Sequence, residues 1–270
     1  MAMRRAAHQL VDTPLVFDDP LAVRIVGEPT DEQRATMKER ESGRASRALR
    51  AFMAVRSRYA EDSLRAAVER GVSQYVLLGA GLDTFAYRNP YGDRVRVFEV
   101  DHPATQAWKQ ARLADAGIAV PPSLTFTPVN FERETVMDRL IAAGFHKDRP
   151  AFFAWLGVTM YLERETVMAM FRTIASLPPA SGVVFDYGVD RSLLGFMERM
   201  VLDEFSRRVA AAGEPWILFF KPVELAAALR EMGFTDVEDL GPDDINARYF
   251  KDRVDGLAVG TLARLMKAVR

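Results

Sequence analysis

Residues 75–84, Tyr-Val-Leu-Leu-Gly79-Ala80-Gly81-Leu-Asp83-Thr84, run an apolar strand into a Gly-x-Gly turn. Missing side chains at Gly79 and Gly81 let a ligand approach the backbone closely. A dinucleotide-binding fingerprint would place a third glycine at position 84, for helix packing and pyrophosphate contact. Here position 84 is Thr, and Asp83 sets a negative charge where a pyrophosphate would lie. That disfavours a nicotinamide dinucleotide and suits a ligand with a cationic amino group. The plain alternative is a tight turn with Asp83 as a helix N-cap. Glu99-Val100-Asp101 follows 20 to 22 residues after Gly79. A carboxylate ending the next strand can accept hydrogen bonds from both hydroxyls of a ribose lying over the turn. Asp101 also precedes His102-Pro103, so an N-cap role is its alternative.

Arg56 is a quieter signal. Between Ser42 and Glu61 the chain carries Arg but no acid. Arg44, Arg47 and Arg50 read as a solvated basic face, and Arg58 can pair with Asp62 one helical turn on. Arg56 instead shares a helical face with Leu49, Phe52 and Met53, continuing through Ala60, Leu64 and Ala67. A guanidinium in an apolar stripe requires an anionic partner: a ligand carboxylate or an internal Asp. Asn130, after the third apolar run, can present its amide to a purine edge while Phe131 packs on the ring; Asn there also serves as a plain turn residue. Tyr161 lies past the fourth run, where open α/β sheets place their sites, in a segment whose other aromatics read as core.

The elements that must position these residues alternate. The first ~70 residues have the 3.6-residue period of helices. Short apolar runs follow at Tyr75–Leu78, Val95–Val100, Leu124–Val129, Ala151–Leu156 and Val183–Tyr187, separated by amphipathic stretches near 102–116, 132–143 and 163–177. Strands alternating with helices predict right-handed crossovers and a mostly parallel sheet covered on both faces. The rhythm breaks at 191–212, which reads as a long helix, followed by an apolar, aromatic Glu214–Phe220. A helix (222–232), a strand (Thr235–Leu240) and an apolar stretch near 257–269 complete the chain. The last two, without a long crossover between them, fit an antiparallel edge.

Composition narrows the function. The 270 residues are 49% hydrophobic and 27% charged, the balance of an ordinary globular protein of one large domain. Lys+Arg number 36 against 37 Asp+Glu, so no global charge argues for nucleic acid or an anionic membrane. With no Cys, disulfides, thiolate metal sites and thiol nucleophiles are excluded, and three scattered His (His8, His102, His146) make a histidine metal site improbable. The opening lacks a signal-peptide apolar core, and the longest uncharged apolar run, Pro150 to Leu162, falls short of the ~20 residues of a spanning helix. Cytoplasm is the expected location.

Taken in order, these segments resemble the leucine carboxyl methyltransferase family and its bacterial small-molecule relatives. The resemblance runs from Ala6-Ala7-His8…Phe17-Asp-Asp-Pro20 to Phe185-Asp-Tyr187, roughly two-thirds of the chain. It rests on Arg56-x-Arg58, Leu78-Gly-Ala-Gly-Leu-Asp83-Thr, Phe98-Glu-Val-Asp101-His-Pro, Pro128-Val-Asn130-Phe and Trp155-x-Gly-Val-Thr-Met-Tyr161-Leu. It implies a single Rossmann-like class I methyltransferase domain. The sheet would be mostly parallel and seven-stranded with an antiparallel C-terminal edge (1–72 helical cap, 73–188 cofactor-binding core, 189–221 lid insertion, 222–270 end of the sheet). The implied cofactor is S-adenosyl-L-methionine. Arg56 would hold its methionyl carboxylate, Gly79, Ala80 and Gly81 would lie against the methionine moiety, Asp101 would take the ribose hydroxyls, and Asn130 with Phe131 would frame the adenine. Tyr161 is the candidate contact to the acceptor. Two positions depart from the family: Asn130 stands for its usual Asp, and Leu156 for its usual Glu, losing one cofactor contact.

The family name suggests a carboxylate acceptor, which is ionised at neutral pH and needs no general base. A neutral hydroxyl would need one, for which Asp186, His102 and Tyr161 are guesses only; no catalytic residue is assigned. The stretch from Leu193 through Trp216 to Phe220 suits a lid over an aromatic or polyketide-like acid, and equally an inert helical cap. The expected partner is a small-molecule acceptor, with no nucleic acid and no membrane; the oligomeric state is left open. Competing readings are methylation of a protein C-terminal carboxylate, a nicotinamide-dependent oxidoreductase, and a non-catalytic cofactor-binding homologue motivated by Leu156.

Overall fold

The structure, a computed structural model, describes residues 1–130, 134–211 and 213–270. Four helices come first: α1 (Ala2–Val11), α2 (Leu21–Val26), α3 (Asp31–Arg40) and the 26-residue α4 (Arg44–Glu69). β1 (Gln74–Leu78), β2 (Arg96–Asp101), α5 (Pro103–Asp115), β3 (Leu124–Pro128), α6 (Val136–Ala142), β4 (Ala151–Trp155), α7 (Arg164–Ala175) and β5 (Gly182–Gly188) form the alternating core. α8 (Phe196–Ala211) interrupts it, and α9 (Pro222–Glu231), β6 (Asp236–Leu240), α10 (Pro242–Tyr249) and β7 (Ala263–Val269) complete the chain.

The seven strands lie in the order β3-β2-β1-β4-β5-β7-β6. β1 to β5 pair in parallel, while β7 runs antiparallel to both β5 and β6. The expected antiparallel end of the sheet is present, with β7 inserted one place inside the edge and β6 outermost. The connection between these two strands was expected to be short; it contains α10. Its signature is compact: Gly241 precedes Pro242, and the Asp244 carboxylate accepts from Gly241 N, so the helix is fixed by caps more than by an apolar stripe.

Every residue of β1, β4 and β5 is buried, as strands covered on both faces require. Alternate side chains feed opposite cores. Tyr75, Leu77, Val97, Phe152 and Ala154 meet α4 and α10, with Ile25 and Leu113 joining α2 to α5 nearby. Val76, Leu78, Phe98, Phe153 and Phe185 meet α6, α7 and α9. α4 carries the apolar stripe read from the sequence, with Phe52, Met53, Ala60, Leu64 and Ala67 all buried. Among the described residues no helix is long and apolar enough to cross a membrane.

One expectation about α4 is corrected. Arg44 is exposed, but Arg50 is only 4% exposed and is not part of a solvated face. Its Nε and Nη2 donate to the two carboxylate oxygens of Asp12 at 2.7 and 2.9 Å, and its Nη1 to Glu41 Oε2 at 3.0 Å. Arg47 is half-buried and donates to the Asp255 carbonyl. These partners lie on other elements, so the one-turn spacing that identifies Arg58–Asp62 (2.9 Å) could not reveal them.

Candidate functional site

The Gly-x-Gly turn is pinned to the end of β2. Gly79 N and Ala80 N both donate to the Val100 carbonyl, at 2.8 and 3.1 Å, and Gly81 N donates to Asp101 Oδ2 at 2.6 Å. Gly79 and Gly81 adopt φ of +67° and +46°, backbone that side chains rarely tolerate. A Cβ at Gly79 would collide with Val158 Cγ2, so the loop after β4 packs directly onto the turn. Asp83 accepts from Phe85 N at 2.8 Å, and the chain continues as a 3-10 turn, Phe85–Arg88. The pyrophosphate-binding helix of a dinucleotide fold does not begin here, in keeping with Thr84 in place of the third glycine.

A cleft of about 160 Å³ opens above this turn. Its floor is residues 77–83, with Ala154 of β4 and Leu156, Gly157 and Val158 of the loop after it on one side and Met53, Arg56 and Ser57 of α4 on another. Met1, Ala2 and Arg5 of α1 close it. The structure thus brings Arg56, Gly79, Ala80, Gly81 and Leu156 to one cavity. Asp101 stands at its rim through the bond to Gly81 without lining it. Asn130 lies two residues past β3, its N–H donating to Glu134 Oε2 at 3.0 Å, and Phe131 lies outside the described residues. Tyr161, in a 3-10 turn (Thr159–Tyr161), does not line the cleft; Val158, three residues earlier, does.

Arg56 resolves the choice left open by its sequence in favour of an internal partner, while keeping the ligand possible. Its Nη1 donates to Asp186 Oδ2 at 2.9 Å, and its remaining donors have no other hydrogen-bond partner among the described residues, although the side chain lines the cleft. Sequence reasoning places a helical cap over 1–72 but does not single out Arg5, because nothing local marks which residue of a helix folds over a turn seventy residues away. It also missed Ser57, adjacent to Arg56, and Met53, whose stripe position read only as core.

The site fits an aminoacyl nucleoside. The glycine cradle would be filled by any side chain, Arg56 offers a guanidinium for a carboxylate, and Asp83 offers a carboxylate for an ammonium. Asp101 accepts from Gly81 N and from His102 N (2.7 Å), one bond per oxygen, so each oxygen retains a lone pair for a ribose hydroxyl. His8 is structural: its Nε2 accepts from Val16 N and Phe17 N at 3.0 and 3.3 Å, and its Nδ1 lies 2.8 Å from Asp12.

The fold class is that of class I methyltransferases. A candidate methyltransferase of Thermobifida fusca, 17% identical, superposes with a TM-score of 0.59, the match covering 100% of this chain and 94% of that one. The magnesium protoporphyrin IX methyltransferase of Synechocystis PCC 6803, solved with bound S-adenosylhomocysteine, is 12% identical with a TM-score of 0.50 and covers 92% and 91%. The sequence relationships are narrower. The family model for leucine carboxyl methyltransferase matches residues 1–175. The candidate S-adenosyl-L-methionine-dependent methyltransferase YktD of Bacillus subtilis is 33% identical over 291 aligned positions, covering 100% of this chain and 95% of that one. The chain belongs to the leucine carboxyl methyltransferase family, a family of S-adenosyl-L-methionine-dependent methyltransferases.

Proposed function

We propose that the protein is an O-methyltransferase that uses S-adenosyl-L-methionine to esterify the carboxylate of a small apolar acceptor. The observation that carries the cofactor half is the meeting of Arg56 with the Gly79–Gly81 turn in one cleft, with Asp101 bonded to that turn. Arg56 would hold the methionyl carboxylate, the turn would admit the chain, and Asp101 would hold the ribose. Asn130 would meet the adenine, with Phe131 beside it in sequence. Leu156 supplies an apolar wall where the family has a carboxylate, and Asp83, also lining the cleft, is the acid left to face the ammonium.

When bound, the sulfonium supplies an already electrophilic methyl group. The protein's part is to align the acceptor oxygen behind it and exclude water. Of the ionisable side chains lining the cleft, Arg5 pairs with the buried Asp19 and Arg56 with Asp186, each at 2.9 Å, and Asp83 is the group proposed to face the ammonium, which leaves no lining carboxylate among the described residues to act as a base. A carboxylate needs no base, and Asp186, one candidate for one, is 1% exposed, does not line the cleft and is ion-paired with Arg56. An apolar acceptor is supported by the lid insertion. α8 exposes Phe196, Met197 and Met200, and the segment after it is fastened beside Tyr161 by Ile217 N and Leu218 N, which both donate to the Met160 carbonyl. Tyr161 remains the proposed acceptor contact.

The test is calorimetric titration of S-adenosylmethionine, S-adenosylhomocysteine and NADH into wild type, Arg56→Ala and Asp101→Ala. The expected result is micromolar binding of the adenosyl ligands, about 8 kcal/mol, strongly weakened in both variants, followed by methyl-ester formation when carboxylic acids are screened. A preference for NADH overturns the reading. Tight adenosyl binding with no ester or ether product from any acceptor makes the protein a binding homologue.

A further inference from the structure

Asp186 is 1% exposed near the C-terminal end of β5, and its two carboxylate oxygens bond to two residues that line the cleft. Oδ2 accepts from Arg56 Nη1 at 2.9 Å, and Oδ1 accepts from Gly157 N. Its own carbonyl accepts from Thr159 Oγ1 at 2.8 Å, which ties it to the turn just past Gly157. Gly157 has a φ of +74°, and a Cβ there would stand 2.8 and 2.9 Å from Arg56 Nη1 and Nη2. The guanidinium is therefore gripped between a bare backbone and a buried carboxylate that reaches both α4 and the β4 loop.

We infer that Asp186 is a positioning residue: it holds the Arg56 guanidinium, against Gly157, in the orientation that turns its free donors toward the amino-acid end of the ligand. The inference rests on the proposed cofactor reading. A long Arg side chain has several rotamers, and recognition of a carboxylate is strong only when its fork is presented in a fixed plane. Asp186 supplies that fixity and the counter-charge that allows Arg56 to be buried before ligand arrives. It is sealed, ion-paired with Arg56, and does not line the cleft, so it is not placed to accept a proton from the acceptor.

Asp186→Asn separates positioning from folding. The amide can still accept from Gly157 N, but then its NH2 faces Arg56, donor against donor, and the guanidinium is released. S-adenosylhomocysteine and 5′-deoxy-5′-methylthioadenosine share the adenosyl thioether, and only the first carries the amino-acid end. By calorimetry Asp186→Asn should weaken S-adenosylhomocysteine about tenfold or more and change methylthioadenosine by less than about twofold, the loss expected for a charge-assisted contact. In an Arg56→Ala background the same substitution should add less than about twofold, because the group it orients is gone. Asp186→Glu, which keeps the charge but displaces the guanidinium, should show the same ligand-selective loss, and serves where the Asn variant is too unstable. Equal weakening of both ligands, or unchanged S-adenosylhomocysteine binding in Asp186→Asn and Asp186→Glu, overturns the inference while leaving the cofactor reading intact. Wild type that binds neither ligand overturns the cofactor reading, and this inference with it.

Discussion

The Glu99 carboxylate and the Lys109 ammonium meet at 2.7 Å with both side chains sealed from solvent. Glu99 sits on β2 two residues before Asp101, and Lys109 reaches it from α5, the helix that Asp101-His102 leads into. Gln106 of the same helix donates to the Glu99 carbonyl at 2.6 Å, and Lys109 also lies 5.3 Å from the Tyr87 ring centre. The pair locks the end of β2 to its crossover helix and so fixes where Asp101 stands.

Breaking that pair from one side should be costly. Burial pushes the Glu99 carboxyl above the usual carboxylate range, against the pull of Lys109. Lys109→Met removes the pull and leaves the burial, at an expected cost of about 3–5 kcal/mol in urea unfolding at neutral pH. Because a carboxyl raised in the folded state stabilises below its unfolded pKa and loses that contribution as pH rises through its folded value, the variant should be least impaired near pH 4. Glu99→Gln/Lys109→Met should recover part of the loss. A single-variant cost under about 1 kcal/mol would mean water reaches the pair.

Gly79→Ala should fail for two separable reasons. Its φ of +67° strains any side chain, and its Cβ would meet Val158 Cγ2. Together these should cost about 1–3 kcal/mol and displace the turn enough to weaken S-adenosylhomocysteine. Gly79→Ala/Val158→Ala should recover the steric share alone. Full recovery would show that the turn relaxes its backbone freely, and that its glycine is a packing requirement only.

What was legible in the sequence follows how local its cause is. The strands of the core declare themselves by apolar runs bounded by turns, and the Arg56 stripe by a 3.6-residue period, because each is written within a few residues. The meeting of Arg56 with the Gly79 turn was reached through resemblance. Spacing alone left Arg56 with two partners, and the one observed, Asp186, is 130 residues away. Arg50 was misjudged for the same reason, its acid lying on another helix. The general rule for strand ends puts Tyr161 beyond β4; the chain turns tightly onto Gly79 there, so Val158 lines the cofactor cleft and Tyr161 stays the proposed acceptor contact. The N-terminal wall, Met1, Ala2 and Arg5, has no sequence signal short of the fold.

Acid should expose the His8–Asp12–Arg50 cluster. Burial alone would raise the Asp12 carboxyl, but hydrogen bonds from Arg50 and His8 outweigh it and hold the pKa at about 2 against an ordinary 3.8. A carboxylate depressed in this way stabilises the fold above its unfolded pKa, and the contribution disappears as pH falls through the folded value. The shift corresponds to about 2 kcal/mol. In urea unfolding, the stability gap between wild type and Asp12→Asn should hold constant from pH 7 to about 4 and narrow toward pH 2. A gap unchanged across that window would mean Asp12 is not charged in the fold.

Asp101 has two jobs, and ligand chemistry can separate them. Its Oδ2 fixes the turn through Gly81 N at 2.6 Å, and its carbonyl accepts from Val129 N at 2.9 Å, binding the ends of β1, β2 and β3 together. Only the carboxylate can also serve a ribose. Asp101→Ala should weaken S-adenosylhomocysteine about a hundredfold, since two charge-assisted bonds to hydroxyls go with the acceptor, and Asp101→Asn about tenfold. The 2′-deoxyribose analogue of S-adenosylhomocysteine sharpens the test. Wild type should bind it about tenfold more weakly than the parent, because one lone pair on Asp101 loses its donor. In Asp101→Ala the two ligands should bind alike, there being no carboxylate left to tell them apart. If Asp101 acts through the turn alone, both ligands weaken together and the preference for the 2′-hydroxyl survives the substitution, which would move ribose recognition to another group.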